Sequence, residues 1–213
     1  MKFDFDIRAI AFEEQSIDAK HDLFLGRLSG LEAPWGIETL CPAPDPGSDL
    51  SAMISWAKMF GGGKGLGGYI SYKYRHKFSD EAFHDDKIML SFNPAKIDYR
   101  GLIDVAMPRY VEAFDGYYAE IFDRKFIQLD WGNFPKGFDS RHHLYRLPPV
   151  CFMRRDFCAR ALNLTPAQIV ERLTGKVAVA REMLDGVVIV LTYEILPINE
   201  MDRLCWEAKA HLI

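Results

Sequence analysis

The sequence predicts an α+β fold, a mainly antiparallel sheet packed with helices in a single domain spanning residues 1–213. Three observations predict it. Phe3, Phe5, Ile7 and Ala9 alternate with Asp4, Asp6 and Arg8, the period of a half-buried strand. Predicted strands are joined both by hairpins and by helices, which favours an antiparallel α+β arrangement over repeated βαβ units. No composition shift, internal repeat or low-complexity segment divides the chain, and its weakest joint is Gly132 to Pro149.

The first strand is followed by Ser16, a good helix cap, and by Ile17, Phe24 and Leu28 at near-helical spacing through Leu31, with Pro34 as the stop. Pro42, Pro44, Pro46 and Gly47 make a stiff loop. Asp49 predicts the cap of a second helix through Met53, Ile54, Trp56 and Phe60, which the glycines from Gly61 to Gly68 end. Tyr69 to Tyr74 and Lys87 to Phe92 read as strands. Leu102, Val105, Ala106, Tyr110 and Phe114 form a helical stripe ending at Asp115-Gly116. Tyr118 to Phe122 and Phe126 to Trp131 are expected as two strands with Asp123-Arg124-Lys125 as their turn. Val150 to Met153 is a further strand and Asp156 to Leu162 a short helix. Thr165-Pro166 is a cap with proline at the first helical position, opening a helix to about Leu173. Val177 to Met183 and Val187 to Thr192, joined by Leu184-Asp185-Gly186, read as a hairpin, and Asn199 to His211 as the closing helix.

Composition narrows the function. Hydrophobic residues are 49% of the 213, aromatic residues 13% and charged residues 26%, enough for a sizeable core with an ordinary surface. A net charge of −4 speaks against a nucleic-acid partner. Asp4, Asp6 and Arg8 interrupt any export signal, and Val187 to Leu191 is far too short to span a bilayer, so the chain is expected in the cytoplasm without a membrane partner. The scattered Cys41, Cys151, Cys158 and Cys205 then read as reduced, mostly buried thiols.

Catalytic motifs are weak. Gly63-Lys64-Gly65-Leu66-Gly67-Gly68 matches a dinucleotide fingerprint on paper, but a helix is predicted before it and a strand after it, the reverse of what places a helix N-terminus on a pyrophosphate. His76, His84, His142 and His143 lack metal-ligand spacing, and no cofactor or metal is expected. Asp123-Arg124-Lys125 is a D-x-K, with Asp104 and Asp115 upstream, as in metal-dependent nucleases. Such residues belong on strands facing one cleft, whereas these fall in a predicted turn. A small nuclease or hydrolase using Asp123 and Lys125 is therefore the alternative, and no catalytic residue is assigned. An oligomeric scaffold, which would expose an apolar patch, is the other.

Charge distribution points instead to a protein partner. Asp80, Glu81, Asp85 and Asp86 surround Phe83, while Lys136, Arg141, Arg146, Arg154, Arg155 and Arg160 make a basic run. Read as docking patches, they would steer a partner by complementary fields. Asp80, Glu81, Phe83, Asp85 and Asp86 are the expected contact residues.

Several segments resemble a known family. Trp56 in its helix leading to the glycine loop and Tyr69, the aromatic segment Tyr117-Tyr118-Ala119-Glu120-Ile121, Leu162-Asn163-Leu164-Thr165-Pro166, and the hairpin Met183 to Thr192 together resemble the immunity protein 52 family of bacterial polymorphic toxin systems. The resemblance implies a cytoplasmic α+β protein that neutralises a cognate toxin, often a nuclease of a contact-dependent or type VI secretion route. It carries over no binding residues.

Overall fold

In the computed structural model, residues 1–32, 35–37, 39, 41–44, 50–55, 66–76 and 79–213 are described. The sheet grows outward from β1 (Phe3–Ile10). β1 pairs antiparallel along its whole length with β4 (Asp85–Phe92), from Phe3 opposite Phe92 to Ile10 opposite Asp85. On its other side it pairs with β5 (Tyr118–Asp123), from Phe3 opposite Asp123 to Arg8 opposite Tyr118. Beyond β4 lie β3 (Gly67–Tyr72) and β2 (Ala52–Ser55). Beyond β5 lie β6 (Val150–Arg154), β8 (Gly186–Val190) and β7 (Val179–Met183). The order is β2-β3-β4-β1-β5-β6-β8-β7, with every pairing antiparallel. The chain is thus a single α+β domain on one antiparallel sheet, as the sequence predicts.

Alternation along β1 sends Phe3, Phe5, Ile7 and Ala9 into one core, where α1 (Ile17–Leu28) and α3 (Met107–Phe114) cover the first face of the sheet. Ser16 caps α1 by accepting a hydrogen bond from Ala19 N at 3.1 Å. Phe24 then packs edge-on to Phe114, centroids 5.4 Å apart. A short α2 (Tyr99–Gly101) and a π turn over Leu102–Ala106 lead into α3. Pro108 follows the π turn and has no N–H to return to the carbonyl four residues earlier, a local cause for the widened turn. α3 stops where Asp115 adopts φ 55° and donates its N–H back to the helix.

The second face carries a separate core. Tyr118 on β5, Cys151 and Met153 on β6 and Val187 and Ile189 on β8 pack beneath α5 (Arg155–Leu162), α6 (Pro166–Leu173) and α7 (Ile198–Ala210). Thr165 and Gln168 form the full capping box that starts α6. Both faces are therefore covered, and even Asp4 and Asp6 are buried, so β1 is not the half-exposed strand its alternation suggests.

Two predicted elements change type. The helix expected after Asp49 is in part β2: Ala52–Ser55 pairs with β3, with Ile54 turned in and Met53 turned out, a period of two. Asp49 and the stretch Trp56 to Gly65 lie outside the described residues. The strand expected over Phe126 to Trp131 is α4 (Lys125–Asp130). Phe126 and Asp130, four apart, are buried while Ile127 and Leu129 are exposed, which is a helical period. Both segments are short apolar runs that periodicity alone does not resolve.

Candidate functional site

The expected contact segment divides at the start of β4. Asp85 and Asp86 are adjacent strand residues, so their side chains leave on opposite faces. Asp86 enters the core under α1, where Arg75 binds both carboxylate oxygens at 2.8 and 3.1 Å, Lys73 N donates at 2.8 Å and Lys20 Nζ lies at 3.4 Å. Asp85 points to the other face and accepts from Tyr117 Oη at 2.6 Å and Arg141 Nε at 3.2 Å. Burial raises the Asp85 pKa, opposed by the hydrogen bond from Tyr117 and the charge of Arg141. Neither carboxylate reaches the surface, so these two residues are anchors of the fold. Asp80, Glu81 and Phe83 do remain outside, Phe83 at 69% exposure with Lys73 Nζ 4.6 Å from its ring centre.

The acidic and basic runs meet at Arg141. Arg141, fully buried, donates to the Ser79 carbonyl at 2.8 Å and Asp80 at 3.2 Å besides Asp85, and Ala82 N donates to Asp139 at 3.2 Å. Arg154 pairs with Asp115 and Asp156, and Arg155 with Asp185. Of the basic run, Arg141 thus ties the Gly132–Pro149 connection to the start of β4, and the other arginines pair elsewhere.

That connection roofs a cleft of about 470 Å³ on the second face of the sheet. Its floor is built by alternation: Asp6 and Arg8 of β1, Met89 of β4, and Tyr118, Glu120 and Phe122 of β5. Its walls are α4, contributing Phe126, Ile127 and Asp130, and the connection itself, contributing Phe134, Phe138 and Tyr145. The rings form a continuous series: Phe134 stacks on Phe138 at 5.1 Å and meets Tyr145 at 4.8 Å, and Tyr145 meets Trp206 of α7 at 5.4 Å.

The floor is charged and only partly neutralised. Arg8 reaches Asp6 Oδ2 and Glu120 Oε1, each at 3.4 Å, donates to Ser140 Oγ, and lies 5.3 Å from the Tyr118 ring centre. Burial raises the Glu120 pKa; Arg8 opposes the rise and the neighbouring Asp6 adds to it. Asp6 is 4% exposed and its Oδ1 has no hydrogen-bond donor. On the wall, Arg146 pairs with Asp130 and Asp202 and stacks over Phe126 at 4.5 Å, while its Nε has no acceptor. Sequence reasoning passed over Asp6, Arg8 and Glu120 as the polar side of ordinary strands. The available signal was five aromatic residues between Phe126 and Tyr145, in a stretch read as strand and loop.

The remaining candidates do not gather. Asp123 Oδ1 accepts from Lys125 N at 3.0 Å, so it shapes its own turn, and Lys125 is exposed. Asp115 precedes β5 and Asp123 ends it, at opposite ends of a strand of roughly 17 Å. Asp104 bonds Tyr193 Oη at 2.6 Å. No group of three or more His, Cys, Asp or Glu side chains among the described residues is placed to hold a metal ion. Cys151, Cys158 and Cys205 are buried free thiols; burial pushes Cys158 and Cys205 up to about 12, and Cys151 is raised as well. No helix among the described residues is long and apolar enough to cross a membrane. Of the glycine run, only Gly67 and Gly68, with Leu66 before them, are described, and Gly67 opens β3. Neither a protein-family model nor a curated protein matches the chain.

Proposed function

We propose that this chain acts in the cytoplasm by binding another protein, as an immunity protein that neutralises a cognate bacterial toxin, and that it docks its partner over the mouth of the aromatic cleft. The observation that carries the reading is a set of large apolar side chains left outside the fold beside the cleft. On the lining of the cleft Trp131 is 83% exposed, and Ile127 and Phe134 are exposed with it. Scattered exposed apolar residues are ordinary, but a contiguous group rimmed by charge marks an interaction surface. Aromatic residues are also the usual energetic anchors of such surfaces. The resemblance noted in the sequence supplies the class of partner. Asp80, Glu81 and Phe83 form a second, smaller exposed group, in which Asp80 pairs with Arg141.

Binding measured by calorimetry against a toxin domain encoded beside this chain tests the reading. Trp131→Ala and Phe134→Ala are each expected to weaken binding by more than about 1 kcal/mol with unchanged melting. The triple change Asp80→Asn, Glu81→Gln, Phe83→Ala should have the smaller effect. If neither aromatic change alters binding and the triple change abolishes it, the docking face is the Asp80 group instead. The same exposed patch also suits an oligomeric scaffold. A mass that rises with concentration in the wild type and not in Trp131→Ala, with no toxin bound, would favour that reading.

A further inference from the structure

The geometry points to an arginine side chain of the partner as the occupant of the cleft, its guanidinium set among the aromatic rings against Asp6 and its own backbone carbonyl facing Arg146. The inference rests on the protein-binding reading above and names what that surface recognises.

The floor lacks donors. On the same sheet face Asp4 is fully served: Arg124 grips it with two nitrogens at 2.6 and 2.8 Å and Ser91 Oγ donates at 2.6 Å. Asp6, two residues along, has only Arg8 at 3.4 Å, and Arg8 is shared with Glu120 and Ser140. Asp6 Oδ1 is left with no partner while nine-tenths of the residue is buried, an arrangement that buried carboxylates rarely keep. Charge agrees with hydrogen bonding. On the lining itself Asp6, Glu120 and Asp130 face Arg8 and Arg146, three acids against two bases, and His143, Tyr118 and Tyr145 are the other titratable groups there. The cleft is short of one positive charge.

The walls suit a guanidinium. Two of the chain's own arginines already lie over rings here, Arg8 over Tyr118 and Arg146 over Phe126. Among the described residues no cation lies over Trp131, Phe134 or Phe138. A planar guanidinium stacks on such faces and still presents a fork of donors to a carboxylate, which a lysine ammonium does less well. Two further orphan atoms line the cleft: Asp130 Oδ1, another acceptor short of a donor beyond its ion pair with Arg146, and Arg146 Nε, a donor that asks for an acceptor. A free amine offers none, whereas an arginine within a polypeptide brings its carbonyl. The volume of about 470 Å³ lies within the roughly 300–1,000 Å³ of sites that enclose small organic groups.

The test uses N-acetyl-arginine N-methylamide and its neutral citrulline counterpart, titrated into the whole chain and followed by amide chemical shifts. The arginine probe should shift resonances of β1, β5 and α4 and bind about tenfold more tightly than the citrulline probe. Asp6→Asn should erase that difference, and Phe134→Ala, a change at a half-exposed site that leaves the fold intact, should weaken binding of the arginine probe. Phe83→Ala should leave it unchanged. Equal binding of the two probes, binding indifferent to both Asp6→Asn and Phe134→Ala, or no shift with either probe overturns the inference. The probes need no toxin, so the two proposals fail separately. Arginine binding without any protein partner leaves the cleft assignment standing and removes the docking reading. A toxin that binds while the arginine probe fails does the reverse.

Discussion

Glu120 shows how one side chain couples the cleft to stability. Its carboxyl is buried beside Asp6, and burial holds its folded pKa above the ordinary 4.5. In the window between 4.5 and that raised value the folded chain binds more protons at this site than the unfolded chain. Stability from this group therefore falls as pH rises through the window and levels off above it. Unfolding by denaturant across a pH series, compared between the wild type and Glu120→Gln, should show the wild type losing ground to the variant as pH rises. A wild type that gains on the variant over the same range would contradict the assignment. The sequence displayed Glu120 only as one charge in Tyr117 to Ile121, because a raised pKa requires neighbours that the fold alone brings together.

Among the elements, the β7–β8 hairpin carries a correctable strain. Leu184 and Asp185 sit at φ 50° and 52°, the left-handed conformation required at both centres of a tight hairpin turn of this kind. Asparagine adopts that conformation at little cost, and leucine at a larger one. Leu184→Asn should raise stability by about 1 kcal/mol, read as an increase in melting temperature, because the partly exposed leucine gives up little packing. Gly186 after the turn is required for a different reason: a Cβ there would meet the Met153 carbonyl oxygen at 2.3 Å. The turn was legible from Leu184-Asp185-Gly186 in the sequence. So were β1, α1, β4 and α6, whose alternation or capping residues are local signals. β2 and α4 were not, since segments of four and six residues with three apolar positions each satisfy either period until a neighbouring strand or core selects one.

Across the whole molecule, Arg141 links the connection from Gly132 to Pro149 with the start of β4. Its two carboxylate partners differ in environment: Asp85 is fully buried and Asp80 is 64% exposed. Arg141→Met should cost about 3–5 kcal/mol in chemical unfolding, because it leaves the Asp85 charge buried without its partner. Asp80→Asn should cost less than about 1 kcal/mol, as exposed pairs do. Equal losses would mean that the two contacts act as one network. Loosening the connection also removes the roof of the cleft, so Arg141→Met is expected to weaken arginine-probe binding along with stability.

The fold class, most elements and the charge segregation between residues 80–86 and 136–160 were determined by the sequence, because alternation, caps and turn residues act over a few neighbours. The meaning of that charge was decided by the tertiary structure. Complementary runs read as surfaces for a partner when only their signs are known; here Arg141 joins them through Asp80 and Asp85, the other arginines find acids elsewhere, and Asp85, Asp86 and Arg141 go inside. The cleft was likewise a tertiary outcome. Asp6 and Glu120 share a site only because β1 and β5 pair in the register that sets them side by side. The aromatic residues from Phe126 to Tyr145 become its walls only because α4 and the connection after it fold back over that face of the sheet.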